Sequence, residues 1–117
     1  MATKKDISMA GFEIVAYSGD AKTALLSALD NAKAGNYDKS ENLIKKADES
    51  LNEAHNVQTK LMSKEASGEE IETTFIMSHG QDTLMTTMLL RDEIKYFIDL
   101  YKKYNTKIEE LGQSKND

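Results

Sequence analysis

No proline interrupts the 117 residues, and three long stretches repeat their apolar side chains at steps of three, four and seven. Proline inside a helix removes a hydrogen-bond donor and clashes with the preceding turn, so its absence lets helices run long. Ile7, Ile14, Ala21, Leu25, Ala28 and Ala32 share one face of a first segment. Ile44, Leu51, His55, Gln58 and Met62 share a face of a second, flanked by Leu43, Ala47, Ala54 and Leu61. Ile76, Thr83, Leu90, Ile94, Phe97, Tyr101 and Ile108 form a stripe on a third. These are amphipathic helix patterns, and no strand-like alternation competes with them.

Start and stop signals frame the segments. Thr3–Asp6, Asp38–Glu41 and Ser67–Glu70 each set a capping side chain three residues before a carboxylate, the capping-box spacing. Gly35, Gly68 and Gly112 follow the segments as C-terminal stops. The pattern predicts helices over residues 6–34, 38–66 and 69–111, with a frayed tail over 112–117. Short connections make neighbours antiparallel, so the predicted fold is all-α, an up-down-up three-helix bundle of one domain. Gly11 and Gly19 each cost about 1 kcal/mol relative to alanine inside a helix. Both are read as points of close helix packing.

Composition narrows the function. Cysteine is absent, which removes disulfides and thiolate chemistry and suits the cytosol. No apolar run approaches the ~20 residues that span a bilayer, and the N-terminus lacks a signal-peptide core. The expected location is cytoplasmic. The net charge of −5 comes with basic residues scattered among acidic ones, which argues against nucleic-acid binding.

The third segment carries more apolar surface than two partner helices can cover. Met77, Leu84, Met85, Met88 and Leu89 lie outside its stripe. A helix apolar on most sides must be buried on most sides, so burial against further copies of the chain is expected.

Within that apolar stretch His79 and Asp82 stand three residues apart, neighbours on one helix face with Phe75, Thr86 and Leu89. An ionised aspartate among Leu and Met is costly unless paired or coordinated. Copies of Asp82 meeting at a symmetry axis would repel one another and either take up protons or recruit a cation, and a hard, oxygen-preferring ion such as Mg²⁺ would suit such a ring. On spacing alone a core histidine and an aspartate bonded to Thr86 are the favoured readings, because His-x-x-Asp is too weak a pattern to support the sharper one. His55 reads as structural. There is no Gly-rich phosphate loop, no His-Glu-x-x-His and no Glu-x-x-His pair.

Three blocks together are far more specific. "MAGFEIVAYSGDAKTALLSAL" from Met9, "AHNVQTKLMSKEASGE" from Ala54 and "MSHGQDTLMTTMLL" from Met77 resemble the IIA component of the lactose/cellobiose family of the bacterial phosphoenolpyruvate-dependent sugar phosphotransferase system. The resemblance implies a homotrimer of three-helix protomers, a nine-helix bundle. It implies that His79 is the phosphoryl acceptor and donor, and that Asp82 binds a divalent ion, Mg²⁺, on the trimer axis. The implied donor is the phosphocarrier protein HPr, and the implied acceptor is a cysteine of the IIB component. The membrane IIC component then moves the sugar, a β-linked disaccharide. Imidazole suits such a relay because it is a nucleophile near neutral pH and a good leaving group. Gln81 and the nearby threonine hydroxyls are candidate hydrogen-bond donors to phosphoryl oxygens.

Two positions depart from the family's common His-Ala-Gln-Asp-His-Leu-Met. Gly80 replaces the alanine, which could loosen the helix, and Thr83 replaces the second histidine. The rival reading is a helical adaptor that binds partners without chemistry. A metal-storage protein using His55 or His79 is a third.

Overall fold

A computed structural model describes residues 2–116, with side-chain environments given through residue 113. Three helices follow one another: α1 Lys4–Lys33, α2 Tyr37–Ala66 and α3 Phe75–Asn116. They lie along a common axis in a body 73 Å long and 20 Å across. Among the described residues there is no strand.

The ends show which local signals govern. Thr3 caps α1: its hydroxyl accepts from the Asp6 amide at 3.1 Å, and the Asp6 carboxylate accepts from the Thr3 amide at 2.9 Å. This completes the predicted capping box. The Thr3 amide, with its hydroxyl second, holds the Asp6 carboxyl below its ordinary 3.8. α1 ends with Gly35 at φ +87°. The Gly35 amide donates to the Ala32 carbonyl and the Asn36 amide to the Asn31 carbonyl. Gly68, at φ +102°, ends α2 the same way through the Glu65 and Lys64 carbonyls. Both are Schellman closures, which need a left-handed residue.

Three predicted ends differ. Asp38 caps nothing, because α2 begins at Tyr37 behind Asn36, which makes no side-chain cap. Ser67 lies at the C-cap of α2 and donates its hydroxyl to the Lys64 carbonyl, so it cannot start α3. The chain runs without regular structure from Glu69 to Thr74, and Thr74 caps α3 by accepting from the Met77 amide at 3.2 Å. Gly112 lacks the positive φ of a stop, and α3 continues through it to Asn116. Of the predicted tail, residue 117 lies outside the described residues.

The core is a set of seams that step strictly by four and three. On α1 the buried residues Ile7, Gly11, Ile14, Ser18, Ala21, Leu25, Ala28 and Ala32 keep this rhythm. On α3 Met77, Gly80, Leu84, Thr87, Ile94 and Ile98 keep it, with half-buried Arg91 completing the series. This heptad spacing favours shallow crossing at about 20°. It also corrects the predicted stripe on α3. Met77 and Leu84, read as surplus, are core, whereas Phe97 and Ile108 are exposed. On α2 the buried set is Ser40, Ala47, Leu51 and Ala54, and His55 and Met62 turn outward.

α2 and α3 both pack along α1 and scarcely touch one another. Polar bridges span their seam instead. The Asn105 side chain donates to the Tyr37 hydroxyl at 2.8 Å, Arg91 makes a two-pronged pair with Asp48, and Gln58 donates to Gln81. The Asp48 carboxylate pushes Arg91 further above its ordinary value, so the guanidinium stays charged.

Candidate functional site

The site is built on the first turns of α3. Gly80 sits against α1: a Cβ there would lie 2.9 Å from the Gly11 carbonyl oxygen and 3.4 Å from the Ile14 Cβ. A Cβ on Gly11 would lie 2.8 Å from the Met77 Cα and 2.9 Å from the Ile76 carbonyl atoms. The two glycines let the backbones of α1 and α3 approach closely here. Gly19, expected to do the same, has open space around it, with nothing within 4 Å of where a Cβ would stand.

His79 is exposed, and its ring makes no hydrogen bond to any described residue. Its backbone carbonyl accepts from the Thr83 hydroxyl at 2.8 Å. Asp82 is exposed one turn further on. Thr86 donates to the Asp82 carbonyl at 2.8 Å and to the Thr83 carbonyl at 3.2 Å, leaving the Asp82 carboxylate unengaged by it. Thr87 donates to the Thr83 carbonyl at 2.7 Å. The threonine hydroxyls near His79 are thus occupied by helix carbonyls.

Phe75, His79, Asp82, Thr86, Leu89, Glu93, Tyr96 and Leu100 step by four and three along the exposed side of α3. This second heptad seam lies roughly opposite the buried one at about 100° per residue. Its apolar members are bare: Phe75 is 91% exposed, Leu89 57%, Tyr96 64% and Leu100 62%. With Tyr104 and Leu111 it runs about 54 Å at 1.5 Å per residue.

Gln81 falls elsewhere. Two residues from His79, it leaves the helix roughly 200° away, and its Oε1 accepts from Gln58 Nε2 at 2.6 Å. The expectation that it donates to a phosphoryl group on His79 of the same chain meets this geometry, which turns it toward α2. Gln58 carries no functional signal in the sequence beyond its place within the second block. Around the pair, Leu61, Met62, Glu65, Ile71, Met77 and Asp82 help line a groove of about 300 Å³. His55 lines a separate depression with Asn52, Met88 and Arg91, and its Nδ1 is 3.5 Å from the Thr59 hydroxyl. Among the described residues no cluster of three His, Asp or Glu side chains of one chain could hold a metal. Among the described residues no helix is long and apolar enough to cross a membrane.

Fold and site together define an all-α three-helix protein that presents a lone imidazole and a carboxylate on the bare face of its longest helix. Residues 9–102 match the family described as "PTS system, Lactose/Cellobiose specific IIA subunit", and the chain belongs to that family of the sugar phosphotransferase system. The "PTS system lactose-specific EIIA component" of Lacticaseibacillus casei is 60% identical over 103 residues, 88% of this chain and 92% of that protein. The Streptococcus mutans protein of the same description is 50% identical over 86% of this chain and 96% of its own length. Among solved structures, the cellobiose-specific enzyme IIA of Bacillus anthracis matches with a TM-score of 0.83 and 36% identity, covering 92% of this chain and 96% of that one. The IIA(Chitobiose)–HPr complex of the Escherichia coli N,N'-diacetylchitobiose branch matches with a TM-score of 0.71 and 30% identity, covering 85% and 96%.

Proposed function

We propose that the chain is a cytoplasmic phosphocarrier in which His79 takes a phosphoryl group from phospho-HPr and passes it to a cysteine of a IIB component. A ring nitrogen of His79 forms the new N–P bond as the N–P bond of the donor histidine breaks. The cysteine thiolate then displaces His79 from phosphorus, and the phosphoryl group continues to a β-linked disaccharide entering through IIC. The observation that carries the reading is the exposed, unbonded imidazole of His79 one turn from the start of α3, where a docking partner can reach it. Transfer of this kind depends on positioning and charge stabilisation more than on side-chain acid–base chemistry. The HPr complex of the chitobiose relative supports HPr as donor. The lactose-specific relatives favour a sugar of the lactose, cellobiose and chitobiose type.

The same seam supports a homotrimer, a nine-helix bundle with the α3 helices innermost. Asp82 lies on that seam, so three copies would present three carboxylates to the axis. Hard oxygen donors with room for water suit Mg²⁺, one ion per trimer, whereas the described residues of one chain alone hold no such cluster. The ion would offset most of the charge of the converging carboxylates.

Intact-mass spectrometry after incubation with phosphoenolpyruvate, enzyme I and HPr tests the carrier reading. Wild type should gain one phosphoryl mass and His79→Ala none. A folded wild type that gains none from a competent donor would overturn the reading in favour of a non-catalytic adaptor.

A further inference from the structure

His79, Gly80, Gln81 and Asp82 occupy one turn of α3, and at about 100° per residue each leaves the helix in a different quadrant. His79 and Asp82 emerge on the exposed side. Gly80 faces the Gly11 carbonyl of α1. Gln81 faces α2, where its Oε1 accepts from Gln58 Nε2 at 2.6 Å. The turn is gripped from two sides, and the third carries the reacting groups.

We infer that Gln58 is a positioning residue for phosphoryl transfer: through Gln81 it fixes the rotation of α3 about its own axis, and with it the direction of the His79 imidazole. The inference rests on the phosphocarrier reading of His79. The Gly11–Gly80 contact sets how closely α3 approaches α1, and buried Met77 and Leu84 on either side of it anchor α3 on its α1 side. α2 and α3 scarcely touch, so apolar interdigitation between them adds little resistance to a roll. The next bridge, Asp48–Arg91, lies ten residues along α3, about 15 Å away. Near His79 the paired amides are therefore the tie that holds α3 from its α2 side, in addition to the packing of Met77 and Leu84 on its α1 side. Side-chain tips stand about 6 Å from a helix axis, so a roll of about 10° moves the imidazole by about 1 Å. Displacements of that size cost on the order of 100-fold in rate.

The test uses full-length Gln58→Leu, Gln58→Glu, Gln81→Leu and the Gln58→Leu/Gln81→Leu double variant. Single-turnover uptake from phospho-HPr, read by quenched intact mass, gives the limiting rate constant and the half-saturating donor concentration. ¹⁵N-histidine NMR of the unphosphorylated protein reads the His79 ring independently of activity. Gln58→Leu should lower the limiting rate by about 10- to 100-fold, leave half-saturation within about twofold and shift the His79 signals. Gln58→Glu, which accepts from the Gln81 amide once that amide turns over, should restore most of the rate. Gln81→Leu and the double variant should match Gln58→Leu, because the two amides act as one unit. Gln58→Leu with wild-type rate and unmoved His79 signals would overturn the inference. So would a Gln81→Leu defect far larger than that of Gln58→Leu, which would make Gln81 a direct phosphoryl ligand. Absence of uptake by wild type would remove the phosphocarrier reading and this inference with it, whereas normal uptake by both wild type and Gln58→Leu removes the inference alone.

Discussion

Gly11→Ala should destabilise the protein by about 2 kcal/mol, although alanine is the better helix former. The added Cβ would meet the Met77 Cα at 2.8 Å and the Ile76 carbonyl carbon and oxygen at 2.9 Å. Carbon atoms rest at about 3.5–4.0 Å, so α1 and α3 must separate by more than half an ångström. All three opposing atoms are backbone, so no side chain can turn aside. Overpacking of this kind costs about 1–3 kcal/mol, and here the upper end applies. Helix propensity returns about 1 kcal/mol, which leaves the net loss near 2. Gly19 is the internal control. It sits in the same helix with nothing within 4 Å of an added Cβ, so Gly19→Ala should stabilise by about 0.5–1 kcal/mol. Urea unfolding followed by far-ultraviolet circular dichroism would read both, at one fixed protomer concentration because assembly couples to stability. A Gly11→Ala protein as stable as wild type would refute the close-approach argument.

Thr74→Ala should cost about 1 kcal/mol by removing the cap of α3, whereas Ser67→Ala should stay within about 0.5 kcal/mol, both read from urea midpoints. Equal losses would place the start of α3 wrongly. The Asp6 carboxyl titrates lower folded than unfolded, so its stabilisation is present above about 3.8 and fades as pH falls through the folded value. The stability gap between wild type and Asp6→Asn should therefore be present near neutral pH and narrow as pH falls below 3.8, as read by urea melts; a gap that widens in acid would contradict the cap. Magnesium should raise the melting temperature of wild type, by an amount equivalent to about 2.7 kcal/mol at a hundredfold excess over its dissociation constant, and leave Asp82→Asn unmoved. An equal response from both proteins would remove Asp82 as the ion's ligand.

The periodicity of α1 is fully legible: every residue placed on its predicted face is buried. The apolar pattern of α3 reads as a single stripe, but two seams run on opposite sides, so Met77 and Leu84 turn inward and Phe97 and Ile108 outward against expectation. Two heptad rows on one helix leave few polar gaps from which either can be recognised. Ser67 hides the start of α3, because its spacing to Glu70 imitates a capping box while the glycine closure of α2 claims the residue. The exposure of His79 and Asp82 is not legible in their spacing, because a buried pair has the same one. Nor does the sequence tie Gln58 to Gln81, since that contact depends on how α2 and α3, both docked on α1, meet across their seam.

The two seams of α3 account for polar chemistry in the most apolar part of the chain. The inner seam is satisfied by α1 within one protomer. The outer seam, Phe75 to Leu100, has no such partner among the described residues, and its polar members nearest the start are His79, Asp82 and Thr86. In the proposed trimer the outer seams face one another, which excludes water from the apolar rows and forces the three Asp82 carboxylates together. Their convergence would be unfavourable without a cation, so assembly and ion binding become one equilibrium. His79, one turn before Asp82 on the same seam, would then stand near the end of the bundle, close to the exposed Phe75 and still within reach of a docking partner. A helix serving two seams tolerates little roll, since any rotation that improves one misaligns the other. Gly80 against α1 and Gln81 against Gln58 hold that rotation within the very turn that carries the imidazole.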